Sequence, residues 1–137
     1  MSTVTEGTPV SAWFSTSSPV LQAWKQAMDG MLEGDITAVR QAFADDAIWY
    51  DMFVGTVRGN GAIADIMGGL KGRSFTTSTV EVRNALTGNE SGAIEWVQTL
   101  HTGERSLTIE GTSWVTVIDG RISRLWDYVQ PIKDRKP

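Results

Sequence analysis

Residues 106–130 read SLTIEGTSWVTVIDGRISRLWDYVQ, and this stretch decides the fold. Two runs rich in β-branched and aromatic side chains flank Asp119-Gly120, a dipeptide suited to the positive-φ positions of a primed hairpin turn. The pattern predicts antiparallel strands over 106–118 and 121–130, closed by Pro131. Alternation in the second strand puts Ile122, Arg124, Trp126 and Tyr128 on one face and Ser123, Leu125, Asp127 and Val129 on the other. Reading backward, Gly103 and Gly88-Asn89 mark turns, and strands are expected over 93–102 and 75–86. The C-terminal half is therefore a meander.

The N-terminal half carries a different period. Ser18 can cap a helix that starts at Pro19, whose missing N–H costs nothing at the first helical position. Leu21, Trp24, Met28 and Met31 follow at helical spacing, and Gly34 suits the end. Asp35 can cap a second helix with a stripe of Ile36, Val39 and Phe43. From Ala47 the texture turns to strand, with Ile48, Trp49, Tyr50, Val54 and Val57 forming a hairpin-like pair. Arg58-Gly59-Asn60-Gly61 punctuates it, and Ile63, Ile66, Met67 and Leu70 form a third helix ending near Gly72. The order implies an α+β domain: three helices against one face of a curved antiparallel sheet, a cone whose inner face becomes a pocket. One domain over 18–131 is expected, between a flexible tail at 1–17 and a charged tail at 132–137.

Composition removes several chemistries. The 137 residues include no cysteine and a single histidine, which excludes disulfides, thiolate zinc sites and a cysteine nucleophile. His101 ends its strand beside Thr102-Gly103 and reads as a rim residue, so neither a multi-histidine metal site nor a Ser-His-Asp triad is expected. No cofactor or metal is implied. A net charge of −4 gives no field for nucleic acid or anionic lipid. With no membrane-length apolar run and no signal-peptide pattern, the chain reads as a cytoplasmic protein. Gly59-Asn60-Gly61 lacks the spacing of a phosphate loop, and Arg58 and Arg73 read as solvated charges. Met28, Met31 and Met67 fit core or adaptable pocket wall. The six tryptophans call for a pocket, an interface or both.

Specific residues also carry a resemblance. Gly34-Asp35, the run from Phe43 to Asp51, Val57-Arg58-Gly59, and Asp119-Gly120-Arg121-Ile122 followed by Leu125-Trp126-Asp127-Tyr128 occur in the order seen in the nuclear-transport-factor-2-like (NTF2-like) superfamily. That group includes ketosteroid isomerase, SnoaL-type polyketide cyclases and limonene epoxide hydrolases. The resemblance spans about residues 19–130 and implies a cone-shaped, cystatin-like α+β barrel, commonly a homodimer, with an apolar cavity. Asp127 is similar in position to a pocket-facing acid/base aspartate of the cyclases and epoxide hydrolases. Asp51 lies where ketosteroid isomerase keeps its proton-abstracting carboxylate, and Trp49 where the epoxide hydrolases have a tyrosine. Trp96 and Gln98 stand in place of the epoxide hydrolases' Arg and Asp. Ala27 and Ser113 replace the isomerase's oxyanion-hole residues, and the cyclases' histidine near Ser113 is missing.

Asp127 and Asp51 are thus the candidate catalytic pair. Each has a plainer reading, Asp127 as a salt-bridged strand residue beside Arg124 or Arg121, and Asp51 as a strand-end carboxylate accepting backbone N–H bonds. Trp49, Trp96, Gln98, Trp24, Met28, Ser113 and Leu125 are the expected substrate-binding residues. Trp114, Trp126 and Tyr128 should face outward, where they suit a homodimer through the sheet. The expectation is a cofactor-independent acid/base enzyme acting on a hydrophobic, oxygenated small molecule, of isomerase or cyclase type. An epoxide hydrolase and a non-catalytic binding or dimerisation module are the alternatives.

Overall fold

A computed structural model describes residues 4–6 and 18–132. Helix α1 (Pro19–Glu33) starts as its sequence requires: Ser18 accepts from the Leu21 N–H, and Pro19 takes the first position. The Ser18 hydroxyl also donates to the Gly88 carbonyl at 3.3 Å, tying the helix start to a sheet turn. Gly34 closes the helix in the left-handed region at φ 70°. Asp35 then caps α2 (Ile36–Ala42) through a 3.0 Å bond from the Ala38 N–H.

The remaining elements are β2 (Phe43–Asp51), β3 (Gly55–Arg58), α3 (Asn60–Met67), β4 (Thr77–Thr87), β5 (Ser91–Thr102), β6 (Arg105–Ile118) and β7 (Arg121–Pro131). A three-residue strand, β1 (Val4–Glu6), lies on the outer edge of β4. The sheet order is β1-β4-β5-β6-β7-β2-β3. Asp119 and Gly120 both have positive φ, 53° and 78°, as the primed turn between β6 and β7 demands.

Several expectations are corrected. The sheet is mixed, because β2 joins β7 in parallel and β1 joins β4 in parallel. Phe43 opens β2 instead of closing the stripe of α2, and Ile36 is exposed. Helix α3 ends at Met67, short of Gly72. Ile122 turns inward, because β7 carries an extra residue, Ser123, between the pairs Val117–Ile122 and Thr116–Arg124. Val4–Glu6 is a paired strand within the segment expected to be a tail; the rest of that tail, Trp13 included, and residues 133–137 lie outside the described residues.

The helices pack on the concave face of the sheet. Val20, Leu21, Trp24, Ala27 and Leu32 of α1 and Ile63 and Ala64 of α3 are fully buried, opposite Val82, Ile94, Ile122 and Leu125 of the sheet. This core fills one end of the cone, and the other end stays open.

Candidate active site

The open end is a cavity of about 410 Å³. That is within the span of small-molecule pockets, roughly 300–1,000 Å³. Its walls are largely apolar: Met28 and Met31 from α1, Met67 from α3, Phe75, Val80, Ile109 and Val129. Polar groups enter from Asp127, Asp51, Gln98 and, at the exposed mouth, Ser74. Phe53 and Val54 of the β2–β3 turn and Leu107 of β6 also reach the mouth and are exposed. No Lys, Arg or His among the described residues lines the cavity. A groove of about 560 Å³ along Gln22, Lys25, Gln26, Asp29 and Glu33 is larger, but it is an open surface with no convergent chemistry.

Asp127 is the centre of the site. The inward face of β7 directs it into the cone, where the residue is 7 % exposed. Its Oδ2 accepts from Trp49 Nε1 at 2.9 Å, and its Oδ1 accepts from Ser113 Oγ at 2.6 Å. Ser113 Oγ in turn accepts from Trp24 Nε1 at 3.0 Å and Trp96 Nε1 at 2.9 Å. Three indoles and one hydroxyl therefore surround one carboxyl group, with no cation among the described residues bonded to it. Burial pushes the Asp127 carboxyl up from 3.8 to about 7; the bonds from Ser113 and Trp49 oppose the rise, and the nearby Asp51 charge adds to it. A carboxyl that titrates near neutrality can both take and give a proton in the working pH range.

Asp51 takes the strand-end geometry of its plainer reading and also faces the cavity. Oδ1 accepts from the backbone N–H of Phe53 at 2.7 Å and Val54 at 3.1 Å, which shapes the β2–β3 turn. The same residue lines the cavity, and in the sheet it is the register partner of Asp127. Gln98 is buried in the β5 wall with its amide committed: Ser78 Oγ gives its proton to the Thr99 carbonyl at 2.8 Å, so Gln98 Nε2 must donate to Ser78 at 3.0 Å. Among the described residues Gln98 Oε1 has no hydrogen-bond partner, so the side chain offers a ligand an acceptor.

Trp49, Trp96, Gln98 and Met28 line the cavity as expected. Trp24, Ser113 and Leu125 do not. Leu125 is fully buried core, while Trp24 and Ser113 stand behind the wall and act on Asp127 from the rear. Glu95 is exposed on the other face, and His101 is an exposed strand-end residue. One positioning residue escaped the sequence reading. A Cβ on Gly111 would fall 2.6 Å from Trp96 Cζ2 and 2.7 Å from the Tyr128 carbonyl oxygen, so only glycine lets the Trp96 ring cross β6 toward Ser113. A lone glycine inside a strand was the available signal.

On the outer face Trp114 is 58 % exposed and Tyr128 47 %. Trp126 stacks on Tyr50 with centroids 5.9 Å apart, and the Arg124 guanidinium lies 4.6 Å above the Trp126 ring. No group of His, Asp or Glu among the described residues is placed to hold a metal ion. No helix of the described residues is long and apolar enough to cross a membrane.

Fold and site together define a class: a small α+β cone whose apolar cavity holds a buried aspartate with its carboxyl pushed up to about 7. Residues 24–125 match the SnoaL-like domain, and the protein belongs to that family, within the NTF2-like superfamily. Solved structures share the fold at low identity. An LEH-like epoxide hydrolase of M. tuberculosis has a TM-score of 0.69 at 19% identity, over 82% of this chain and 83% of its own. A protein of ketosteroid isomerase-like fold from Catenulispora acidiphila, in complex with trimethylamine, has a TM-score of 0.70 at 16% identity, over 80% and 85%. A putative polyketide cyclase of Sinorhizobium meliloti has a TM-score of 0.61 at 20% identity, over 78% and 94%. No curated protein matches the sequence.

Proposed function

We propose that this protein is a cofactor-independent acid/base enzyme of isomerase or cyclase type, acting on a hydrophobic, oxygen-bearing small molecule such as a terpenoid, polyketide or steroid-like compound. The observation that carries the proposal is Asp127: a buried carboxyl titrating near 7, held by two hydrogen bonds at the wall of an apolar cavity. As carboxylate it takes a proton from a carbon next to a carbonyl; as acid it returns that proton at another carbon or to an oxygen. Asp51 is its partner across the sheet. Gln98 Oε1 orients a hydroxyl or water, and Trp49 and Trp96 exclude bulk solvent. A substrate anion is disfavoured, because the lining sets two carboxylates and no cation against it.

The test is a panel of apolar ketones, enones and epoxides with the native protein and Asp127→Asn. Turnover should fall about 10²–10⁴-fold in the variant while ligand affinity is kept. Unchanged turnover overturns the assignment. Epoxide opening is the second reading, favoured by the pairing of a carboxyl that is partly protonated at neutral pH with a second carboxylate able to orient water. Incorporation of labelled water oxygen into a diol separates it from isomerisation. Binding without turnover across the panel would favour the non-catalytic module. We also propose a homodimer through the outer-face Trp114, Trp126 and Tyr128, since exposed Trp114 and Tyr128 flank Trp126 in an aromatic patch of the kind that marks association surfaces. Sedimentation of the native chain against Trp114→Glu tests it, and a monomer in both sinks it.

A further inference from the structure

The hydroxyl of Ser113 is surrounded in a way that leaves it one arrangement. A serine hydroxyl has one proton to give and two lone pairs to receive with. An indole N–H can only give. Trp24 Nε1 at 3.0 Å and Trp96 Nε1 at 2.9 Å fill both lone pairs, so the single proton has one place to go, Oδ1 of Asp127 at 2.6 Å. Ser113 is 1 % exposed, shut off from bulk solvent. The polarity of the chain, indole to hydroxyl to carboxyl, cannot be reversed.

We propose that Ser113 is a positioning residue for Asp127, driven from behind by Trp24 and Trp96: its proton is committed to Oδ1 on the core side, while Oδ2, which accepts from Trp49 at the cavity wall, is the oxygen placed to exchange a proton with the ligand. The placement supports this division of labour. Trp24 and Ser113 stand outside the cavity, on the core side of the carboxyl, whereas Trp49, bonded to Oδ2, is part of the cavity wall. The indoles polarise the hydroxyl, and hydrogen bonds in such a chain strengthen one another. They thereby hold the ionised form within reach at neutral pH in a pocket that would otherwise suppress it. The charged group facing Asp127 from the packed elements is Asp51 on β2; α1, α3, β5 and β6 present Met28, Met31, Met67, Trp96, Gln98 and Ile109 to the cavity, none of them titratable.

The inference rests on the proposed role of Asp127, but its test needs no substrate and so stands or falls separately from turnover. Protein labelled with ¹³C at the aspartate side-chain carboxyl is titrated by NMR, and the resonance missing from Asp127→Asn is assigned to Asp127. Ser113→Ala should move the Asp127 midpoint upward by about one to two pH units, the worth of one hydrogen bond to a charged group. Ser113→Thr, which keeps the hydroxyl, should stay near the native midpoint. Trp24→Phe, at a residue that lines no part of the cavity and bonds to Ser113, should move it the same way by a smaller amount. A packing role for Trp24 would lower the melting temperature and leave the midpoint alone. Native midpoints in folded Ser113→Ala and Trp24→Phe overturn the proposal; if Ser113→Ala does not fold, an unmoved midpoint in Trp24→Phe does so by itself.

Discussion

Replacing Asp127 with Asn should change how the stability of the protein depends on pH, by an amount the site geometry sets. In the unfolded chain this carboxyl loses its proton near 3.8, and in the folded chain near 7. Between those values the folded state binds the proton and the unfolded state does not, so stability falls as pH rises through the window. The contribution is intact below pH 3.8, is lost progressively up to about pH 7, and is constant above it. At ~1.4 kcal/mol per unit, the climb from 3.8 to about 7 amounts to about 4 kcal/mol of stability given up at neutral pH. Other carboxylates titrate in the same range, so the quantity to measure is a difference. Urea unfolding of native protein and Asp127→Asn, followed by circular dichroism at intervals from pH 4 to 8, gives two curves. The variant should gain on the native protein by about 4 kcal/mol across that range. Its absolute level is offset by a separate cost, since an amide presents N–H where Ser113 and Trp49 both donate. A difference flat to within about 1 kcal/mol would refute the reasoning, because the carboxyl would then titrate as it does in water.

Gly111→Ala should destabilise the fold. Overpacking against Trp96 and the Tyr128 carbonyl costs about 1–3 kcal/mol, of which ~0.4–1 kcal/mol is recovered from the less flexible unfolded chain. Thermal unfolding should show a Tm lower by several degrees, and a Tm at or above the native value would refute the close approach. Asp51→Asn removes the one charge that raises the Asp127 carboxyl, so the acid limb of kcat/KM, or the ¹³C midpoint, should move downward. Because that influence is the smallest of the causes, the change should be under about one pH unit. Among isosteric ligands, calorimetry should find the alcohol or amide bound more tightly than the carboxylate by at least about tenfold at pH 8, and equal affinity would contradict the acceptor-lined cavity.

Local chemistry made much of this legible. Ser18, Pro19, Gly34 and Asp35 act within one turn of themselves, and Asp119-Gly120 needs only its own two residues, so these features could be read directly. Alternation along β7 sufficed to put Asp127 inside and Tyr128 outside. Apart from the early end of α3 at Met67, the corrections involve partners far away in the chain. Ile122 turns inward because the pairing with β6 slips by one residue, which no pattern within β7 records. The apolar spacing of Phe43 suits either period, and the parallel pairing of β2 with β7 decides for the strand. Helical spacing turns Trp24 inward and alternation does the same for Ser113, but an inward-facing residue can either line a cavity or stand behind one. Which of the two holds depends on how α1 sits on β6. The amide orientation of Gln98 follows from Ser78, twenty residues earlier, and was invisible for the same reason.

The cage around Asp127 also makes the protein its own optical instrument. Trp49 is bonded to the carboxyl directly, and Trp24 and Trp96 are one hydroxyl away, so three of the six tryptophans feel the charge of that group. An indole's emission follows the electric field across its ring, and a proton arriving at Asp127 or a ligand displacing solvent beside Trp49 alters that field. Intrinsic fluorescence, with no label and no known substrate, should therefore trace both the protonation of the site and its occupancy, and ligand discovery can begin from a plate reader.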